Sequence, residues 1–140
     1  MPFINDSTQD SIRFADRVDP DSSVIETYDL DRDATIEQVV VRIYRGAELD
    51  LQVRPFVDTD KSDDRRREQE IVTFVGKDYV DGDGDKFEFQ TSDAVEDGQS
   101  IGVEVTNQSD QYAYDYSVDV TLDYAGGTDR TLFSVLGGVF

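Results

Sequence analysis

The decapeptide VDGDGDKFEF contains the residues of this sequence that are best suited to chemistry, three aspartates separated by glycines. Asp81, Asp83 and Asp85 would present carboxylate oxygens, which are the ligands that Ca²⁺ prefers. The helical calcium loop also needs a glycine at its sixth position and a glutamate at its twelfth, where this chain has Lys86 and Ser92. The spacing therefore excludes an EF-hand. It favours an acidic turn leading into a strand, with a looser Ca²⁺ site as the alternative.

Two of the commonest catalytic residue types are missing. The chain has no histidine and no cysteine, so nucleophile–imidazole pairs and imidazole or thiolate metal sites cannot form. It also lacks the glycine motifs that bind nucleotide phosphates. A glycosidase-like carboxylate pair can be drawn anywhere among 32 acidic residues, so that signal has no specificity. We expect a protein that is not an enzyme and needs no cofactor, with Ca²⁺ as the open alternative.

Net charge is the most informative bulk property. The 140 residues include 32 acidic and 13 basic ones, which gives a net charge of -19. Such a surface repels phosphate, so we expect no nucleic-acid partner. The acids are spread along the chain and not collected in one block, which favours adaptation to molar salt over a site for a basic partner. At about 1 M salt the Debye length is about 3 Å, so neighbouring carboxylates hardly repel one another.

Alternation of apolar and polar residues predicts strands. The clearest case is Tyr112–Tyr124, YAYDYSVDVTLDY, in which every second residue is aromatic or aliphatic. A shorter alternating run, Ile101–Thr106, precedes it, and the intervening Asn107–Gln111 predicts that the two form a hairpin. A second predicted hairpin joins the strand ending at Ile43 to Leu49–Val53.

Four weaker runs complete the prediction. Together with the two hairpins they give about eight short strands and no long helix, which predicts an all-β, antiparallel β-sandwich of jelly-roll type within residues 1–127. The weaker runs are Ser11–Phe14, Val24–Tyr28, Ile71–Val75 and Lys86–Phe89.

Two segments break the alternation. Asp58–Glu70 is wholly polar and includes Arg65, Arg66 and Arg67, which predicts a solvated loop or a short exposed helix or, alternatively, a docking element. Residues 128–140 contain the uncharged stretch TLFSVLGGVF, which is too short to span a membrane and too apolar to remain in water. It is either a final core strand or an anchor on another subunit. The anchor residues would be Leu132, Phe133, Val135, Leu136, Val139 and Phe140.

Two further patterns suggest contact with sugars. Asn5 and Asn107 each begin an N-glycosylation acceptor triplet, a pattern that also arises by chance. Tyr112, Tyr114 and Tyr116 could form a sugar-stacking platform if their side chains are exposed. Their alternation with small or acidic residues favours burial instead. A Ca²⁺-assisted carbohydrate- or receptor-binding module is therefore the second functional hypothesis.

In composition and predicted architecture the chain resembles small jelly-roll virion proteins of haloarchaeal tailed viruses. The resemblance covers roughly Ser11–Tyr124 and includes no diagnostic motif. It implies a structural subunit, a capsid decoration or turret protein, in a virion exposed to high salt. Its implied partners are the major capsid protein, other virion subunits and further copies of itself; a tail or baseplate position is the alternative.

Overall fold

The computed structural model describes residues 9–58, 68–71 and 77–124. Arg65, Arg66, Arg67 and the predicted anchor of Leu132, Phe133, Val135, Leu136, Val139 and Phe140 lie outside these residues. The described residues contain no helix long and apolar enough to cross a membrane. They form eight strands: β1 Gln9–Val18, β2 Ser22–Asp29, β3 Ala34–Ile43, β4 Leu51–Asp58, β5 Glu68–Glu70, β6 Asp85–Val95, β7 Ser100–Asn107 and β8 Tyr114–Tyr124.

The strands form two four-stranded antiparallel sheets. Sheet A has the order β1-β8-β3-β6 and sheet B the order β2-β7-β4-β5. The chain therefore changes sheet at every connection except that between β4 and β5. This is the arrangement of a jelly roll, in which two Greek keys make two packed sheets. The predicted all-β jelly-roll sandwich is confirmed.

Both predicted hairpins are wrong. β7 and β8 lie in different sheets, and so do β3 and β4. β8 pairs with β1 and β3, whereas β7 pairs with β2 and β4. Alternation identifies a strand and the face that it buries. It does not identify the strand's hydrogen-bonding partner, because strands in opposite sheets and strands paired in one sheet both bury one apolar face. The connecting loops are long enough to cross the roughly 10 Å between packed sheets.

The core lies between the two sheets and is almost entirely aliphatic. Each fully buried aliphatic side chain contributes about 1.5–3 kcal/mol relative to exposure, as an upper range. Tyr116 and Tyr124 are also buried, at 1% and 8% exposure. The central members, all at 0% exposure, are Val39, Val41, Ile43, Leu51, Val53, Val103, Val105, Val118, Val120 and Leu122.

A bulge at Glu37 hid the first half of β3 from the sequence pattern. Ile36 is opposite Leu122 of β8, whereas Gln38 is opposite the adjacent Thr121, so Glu37 is an extra residue. The inward-facing positions are therefore even-numbered before the bulge and odd-numbered after it. A search for strict alternation finds only the second half.

The loops gather at the two ends of the sandwich. The connections β1–β2, β3–β4, β5–β6 and β7–β8 meet at one end, which we call the Asn107 end. The connections β2–β3 and β6–β7, residues 30–33 and 96–99, lie at the opposite end. β3 and β6 are antiparallel neighbours. The end of β3 and the start of β6 therefore lie side by side at the Asn107 end, and the start of β3 and the end of β6 lie side by side at the opposite end.

Candidate docking surface

The three aspartates of the predicted Ca²⁺ loop bind the protein itself. Asp83 Oδ1 accepts a hydrogen bond from the Gly46 amide at 2.6 Å, and Asp85 Oδ2 accepts one from the Asp83 amide at 2.9 Å. Asp81 Oδ1 lies 3.3 Å from Lys77 Nζ. Among the described residues, no group of three acidic side chains is placed to hold a metal ion. These contacts explain the three aspartates as parts of a turn, and the Ca²⁺ site stays a prediction.

The glycines of this loop have a packing role. A Cβ at Gly82 would lie 2.8 Å from Asp85 Oδ2 and 3.1 Å from the Phe87 ring. Gly84 has φ +69°, a left-handed conformation that favours glycine. The alternation of aspartate and glycine therefore fits a tight turn packed against Phe87.

Asn107 holds the Asn107 end together. Its side chain is buried, and Nδ2 donates to the carbonyl oxygens of Val18 at 3.1 Å, Asp19 at 3.3 Å and Tyr112 at 2.8 Å. Its Oδ1 accepts a hydrogen bond from the Ser109 amide at 2.9 Å. This nitrogen is occupied and inaccessible in the folded protein, so the glycosylation pattern at Asn107 has a structural explanation.

Backbone hydrogen bonds extend this network to the neighbouring loops. The Asp21 amide donates to the Ser109 carbonyl at 2.8 Å, and the Gln108 amide donates to the Asp50 carbonyl at 2.8 Å. The Leu49 amide donates to the Gly82 carbonyl at 3.2 Å. All four connections of the Asn107 end are thus linked into one hydrogen-bonded unit.

The same end contains unfavourable backbone conformations. Within the described ranges, the non-glycine residues with positive φ are Asp21 (54°), Glu48 (51°) and Leu49 (71°), and all three lie here. Leucine has no side-chain group that stabilises this conformation, which costs about 1–3 kcal/mol. Yet Leu49 is 59% exposed and adds little to the core. The fold holds a strained backbone in place and presents an apolar side chain to solvent.

Exposed aromatic and aliphatic side chains are concentrated at this end. Of the five large apolar side chains that are exposed among the described residues, Tyr44 (43%), Leu49 (59%) and Tyr112 (61%) lie here. Arg45 lines two adjoining shallow hollows, one shared with Tyr112 and the other with Tyr44. We define the docking patch as Arg42, Tyr44, Arg45, Leu49, Lys86 and Tyr112.

The cations of the docking patch are placed unusually. Arg42 of β3 and Lys86 of β6 are directly opposite each other, a like-charge pair that destabilises a sheet. Lys86 Nζ is 3.2 Å from Glu88 Oε2, and the Arg42 guanidinium is 6.0 Å from the Tyr44 ring centre. Neither Arg42 nor Arg45 makes an ion pair within the described part of the chain. Two arginines are thus available to a partner in a protein with 32 acidic residues.

Other arginines of the sheets show the contrasting arrangement. Three of them face a carboxylate directly across a strand pair: Arg13–Asp119 at 2.8 Å, Arg17–Asp115 at 3.1 Å and Arg54–Glu104 at 2.7 Å. Opposite charges at such positions stabilise a sheet by roughly 0.2–1 kcal/mol. These three arginines therefore stabilise their own sheets, whereas Arg42 and Arg45 make no such ion pair among the described residues.

Sequence reasoning missed this surface because the alternating runs extend past the strands. It placed Leu49 and Tyr112 in predicted strands, on the faces expected to be buried. In the structure β4 begins at Leu51 and β8 at Tyr114, so both residues lie in loops. Of the predicted tyrosine platform, Tyr116 is buried, Tyr114 is half-buried and only Tyr112 is exposed.

A hydrogen bond joins the two sheets at the β1/β2 edge. Tyr116 of β8 donates its hydroxyl to Glu26 Oε1 of β2 at 2.8 Å. Burial raises the pKa of the Tyr116 hydroxyl well above its usual range, and the hydrogen bond to Glu26 and the charges of Glu26 and Asp16 raise it further. The folded state therefore requires the protonated phenol.

Tyr116→Phe tests this contact. A phenol whose pKa is raised by folding stabilises the native state below its unfolded pKa of about 10, and this contribution decreases as pH rises above that value. We expect the variant to lose about 1–3 kcal/mol at neutral pH and to show a weaker decline in stability at alkaline pH. Urea unfolding between neutral pH and pH above about 10 measures both. Tyr112→Phe is the control, and an unchanged alkaline decline in Tyr116→Phe would contradict the assignment.

Comparisons with known proteins give no family. No family model matches the sequence, and no curated protein does. Solved structures match at low similarity: a mitogen derived from Yersinia pseudotuberculosis has a TM-score of 0.46 and 11% identity over 80% of this chain and 85% of its own. A chain of the infectious bursal disease virus T13 particle has a TM-score of 0.48 and 7% identity over 86% of this chain and 32% of its own.

A third neighbour shows how broad this likeness is. PliG of Aeromonas hydrophila, a periplasmic inhibitor of g-type lysozyme, has a TM-score of 0.39 and 13% identity over 87% of this chain and 92% of its own. The neighbours thus include viral capsid proteins, of which this chain spans about a third, beside a mitogen and an inhibitor. At these values the likeness carries no argument about function.

Proposed function

We propose that this protein is a non-enzymatic structural subunit that docks on a larger symmetric assembly, as a capsid decoration or turret subunit of a virion in high salt. The observation that carries the proposal is the docking patch, which combines exposed tyrosines, an exposed leucine and two arginines that make no ion pair among the described residues. Tyrosine and arginine are the residue types enriched at the energetic centres of protein interfaces. Apolar side chains held out of the core against backbone strain are explained by burial in a partner.

The form of the surface supports this proposal over catalysis. The two hollows lined by Arg45 are open to solvent, whereas small-molecule sites are concave and bury most of their ligand. The fold itself does not decide the matter, because jelly rolls serve many functions. The argument therefore depends on the docking patch.

A second contact is proposed outside the described residues. The uncharged anchor of Leu132, Phe133, Val135, Leu136, Val139 and Phe140 would be buried in the assembly, and Arg65, Arg66 and Arg67 would pair with carboxylates of a neighbouring subunit. A chain lacking residues 131–140 should stay folded but fail to sediment with the particle. If it remains folded and still enters the particle, the anchor proposal is wrong.

Leu49→Asn separates docking from folding. Asparagine tolerates positive φ better than leucine, so we expect unchanged or slightly higher stability, by up to about 1 kcal/mol. The loss of the apolar side chain should reduce recovery of the protein with sedimenting particles at least ten-fold when combined with Tyr112→Ser. The assay compares variants produced in the native source and measures the fraction in the particle band.

The matched control replaces exposed apolar residues away from the docking patch. Ile25 and Tyr28 lie on the edge strand β2 and are 47% and 43% exposed. Ile25→Asn with Tyr28→Ser should leave particle recovery unchanged. Equal recovery of both double variants, or a wild-type protein that never sediments with a particle, would overturn the proposed function.

Adaptation to high salt is part of the proposal and makes its own prediction. Lowering the salt to about 0.1 M lengthens the Debye length to about 10 Å, so that the charge of -19 opposes the compact state. We expect the melting temperature to rise continuously from about 0.1 M to molar NaCl. Circular dichroism or fluorescence melting measures it, and equal melting temperatures at both salts would contradict the salt adaptation.

The second candidate function is a Ca²⁺-assisted carbohydrate- or receptor-binding module. It is favoured by one observation: Tyr44 and Tyr112 are exposed at the same end as the aspartate loop. It predicts that Ca²⁺ raises the melting temperature and that replacing both Asp83 and Asp85 by alanine removes this rise. No change over millimolar Ca²⁺ would eliminate this candidate.

A further inference from the structure

We propose that the docking patch binds the opposite, acidic end of a second copy of this chain, so that copies associate head to tail. This inference rests on the proposed function and identifies the partner of its surface. The acidic end consists of the loops at residues 30–33 and 96–99, with Asp31, Asp33, Glu96 and Asp97 exposed. The two ends of the pair β3/β6 would thus carry complementary surfaces.

The acidic end is an ordered surface. The Asp97 amide donates to Asp33 Oδ1 at 2.9 Å, which ties the two loops together. The Leu30 amide donates to the Gln99 carbonyl and the Gly98 amide to the Leu30 carbonyl, both at 2.9 Å. Asp31, Glu96 and Asp97 are therefore presented from a fixed backbone.

The one cation of the acidic loops is already engaged. The Arg32 guanidinium lies 4.0 Å from the centre of the Tyr124 ring. This cation–π contact positions Arg32 on β8 and leaves the carboxylates of the two loops to dominate the local charge. Such a surface suits arginine, whose planar fork binds carboxylate oxygens in pairs.

The docking patch offers the matching groups. Arg42 and Arg45 make no ion pair within the described part of the chain, whereas Lys86, opposite Arg42, is already paired with Glu88 at 3.2 Å. A carboxylate of a second copy would pair with either arginine. The exposed Tyr44, Leu49 and Tyr112 would add apolar area around the charge contact.

Geometry makes the contact intermolecular. β3 has ten residues, which at about 3.3 Å each separate its two ends by about 30 Å. The docking patch cannot reach the acidic end of its own chain. A head-to-tail contact pairs the arginines of one copy with the carboxylates of the next, and because it joins two different surfaces it produces rings or filaments.

Two neutralising variants test the inference. Arg42→Gln with Arg45→Gln weakens the docking patch, and Asp31→Asn with Glu96→Gln weakens the acidic end. Sedimentation velocity in molar NaCl should find concentration-dependent species larger than the 15.8 kDa monomer for the wild type. Each double variant alone should self-associate at least ten-fold more weakly. Asp16→Asn with Asp19→Asn, which removes two charges that belong neither to the docking patch nor to the acidic end, should behave as the wild type.

Mixing the two variants gives the decisive result. Each retains one intact surface, so an equimolar mixture should form a 1:1 complex that does not grow further. No complex in the mixture, or a wild type that is monomeric at every concentration, overturns the head-to-tail inference. A monomeric wild type that still enters the particle leaves the proposed function standing, whereas intact self-association without particle entry overturns the proposed function alone.

Discussion

Gly102→Ala is expected to destabilise the sandwich by about 3 kcal/mol, at the upper end of the usual cost of overpacking, although it adds a single methyl group. A Cβ on Gly102 would lie 2.5 Å from Cζ of Phe56 and 2.9 Å from both Cε atoms of that ring. Gly102 of β7 and Phe56 of β4 are directly opposite in sheet B. The ring lies across the glycine and is fully buried, with the Arg54 guanidinium 4.8 Å from its centre. Real Cβ atoms do not approach a rigid ring this closely, so the ring or the strands must move.

A double-mutant cycle makes this explanation testable. Phe56→Ala alone should cost about 3–5 kcal/mol, because it removes a buried ring. In that background Gly102→Ala should be neutral or stabilising by about 0.4–1 kcal/mol, since alanine reduces the entropy of the unfolded chain. The sign of the effect therefore reverses between backgrounds, which urea unfolding of the four proteins measures. The same cost in both backgrounds would show that the ring contact is not the cause.

This effect illustrates what the sequence could not reveal. Gly102 stands between Ile101 and Val103 in a clear alternating run, and the pattern places it correctly on the outer face. Its requirement for glycine depends on which strand pairs with β7 and in which register. β7 pairs with β2 and β4, not with the adjacent β8, so the contact with Phe56 lies outside any local pattern.

Strand identity and inner faces were predictable because alternation is a local property. The aliphatic positions of β3, β7 and β8 are buried as predicted. Strand ends were less predictable, because alternation continues through Leu49 and Tyr112 while the backbone leaves the sheet. These errors concern the candidate site directly: the residues that now define the docking patch looked like core residues. An exposed apolar side chain and a buried one have the same sequence signature.

Asn107→Ala is expected to destabilise the protein by at least about 2 kcal/mol. The amide nitrogen of the buried Asn107 side chain donates to the carbonyl oxygens of Val18, Asp19 and Tyr112. Alanine removes the hydrogen bonds that Nδ2 donates to these three carbonyl oxygens. Each buried polar group left unsatisfied costs about 1–3 kcal/mol. The Ser109 amide also loses its acceptor. Exposed Gln108→Ala, one residue away, should change the free energy of unfolding by less than about 0.5 kcal/mol.

Asn107→Asp sharpens the test because it preserves the shape of the side chain but replaces the amide donor with a carboxylate acceptor. The carboxylate keeps an acceptor for the Ser109 amide but places negative charge against three carbonyl oxygens, so at neutral pH it should be more destabilising than alanine. Burial raises the pKa of such a carboxyl, and its protonated form regains one donor. The stability of Asn107→Asp relative to Asn107→Ala should therefore rise as pH falls towards 4. If the two variants keep the same difference at every pH, the donor role assigned to Asn107 is wrong, and with it the account of how Tyr112 is held in the docking patch.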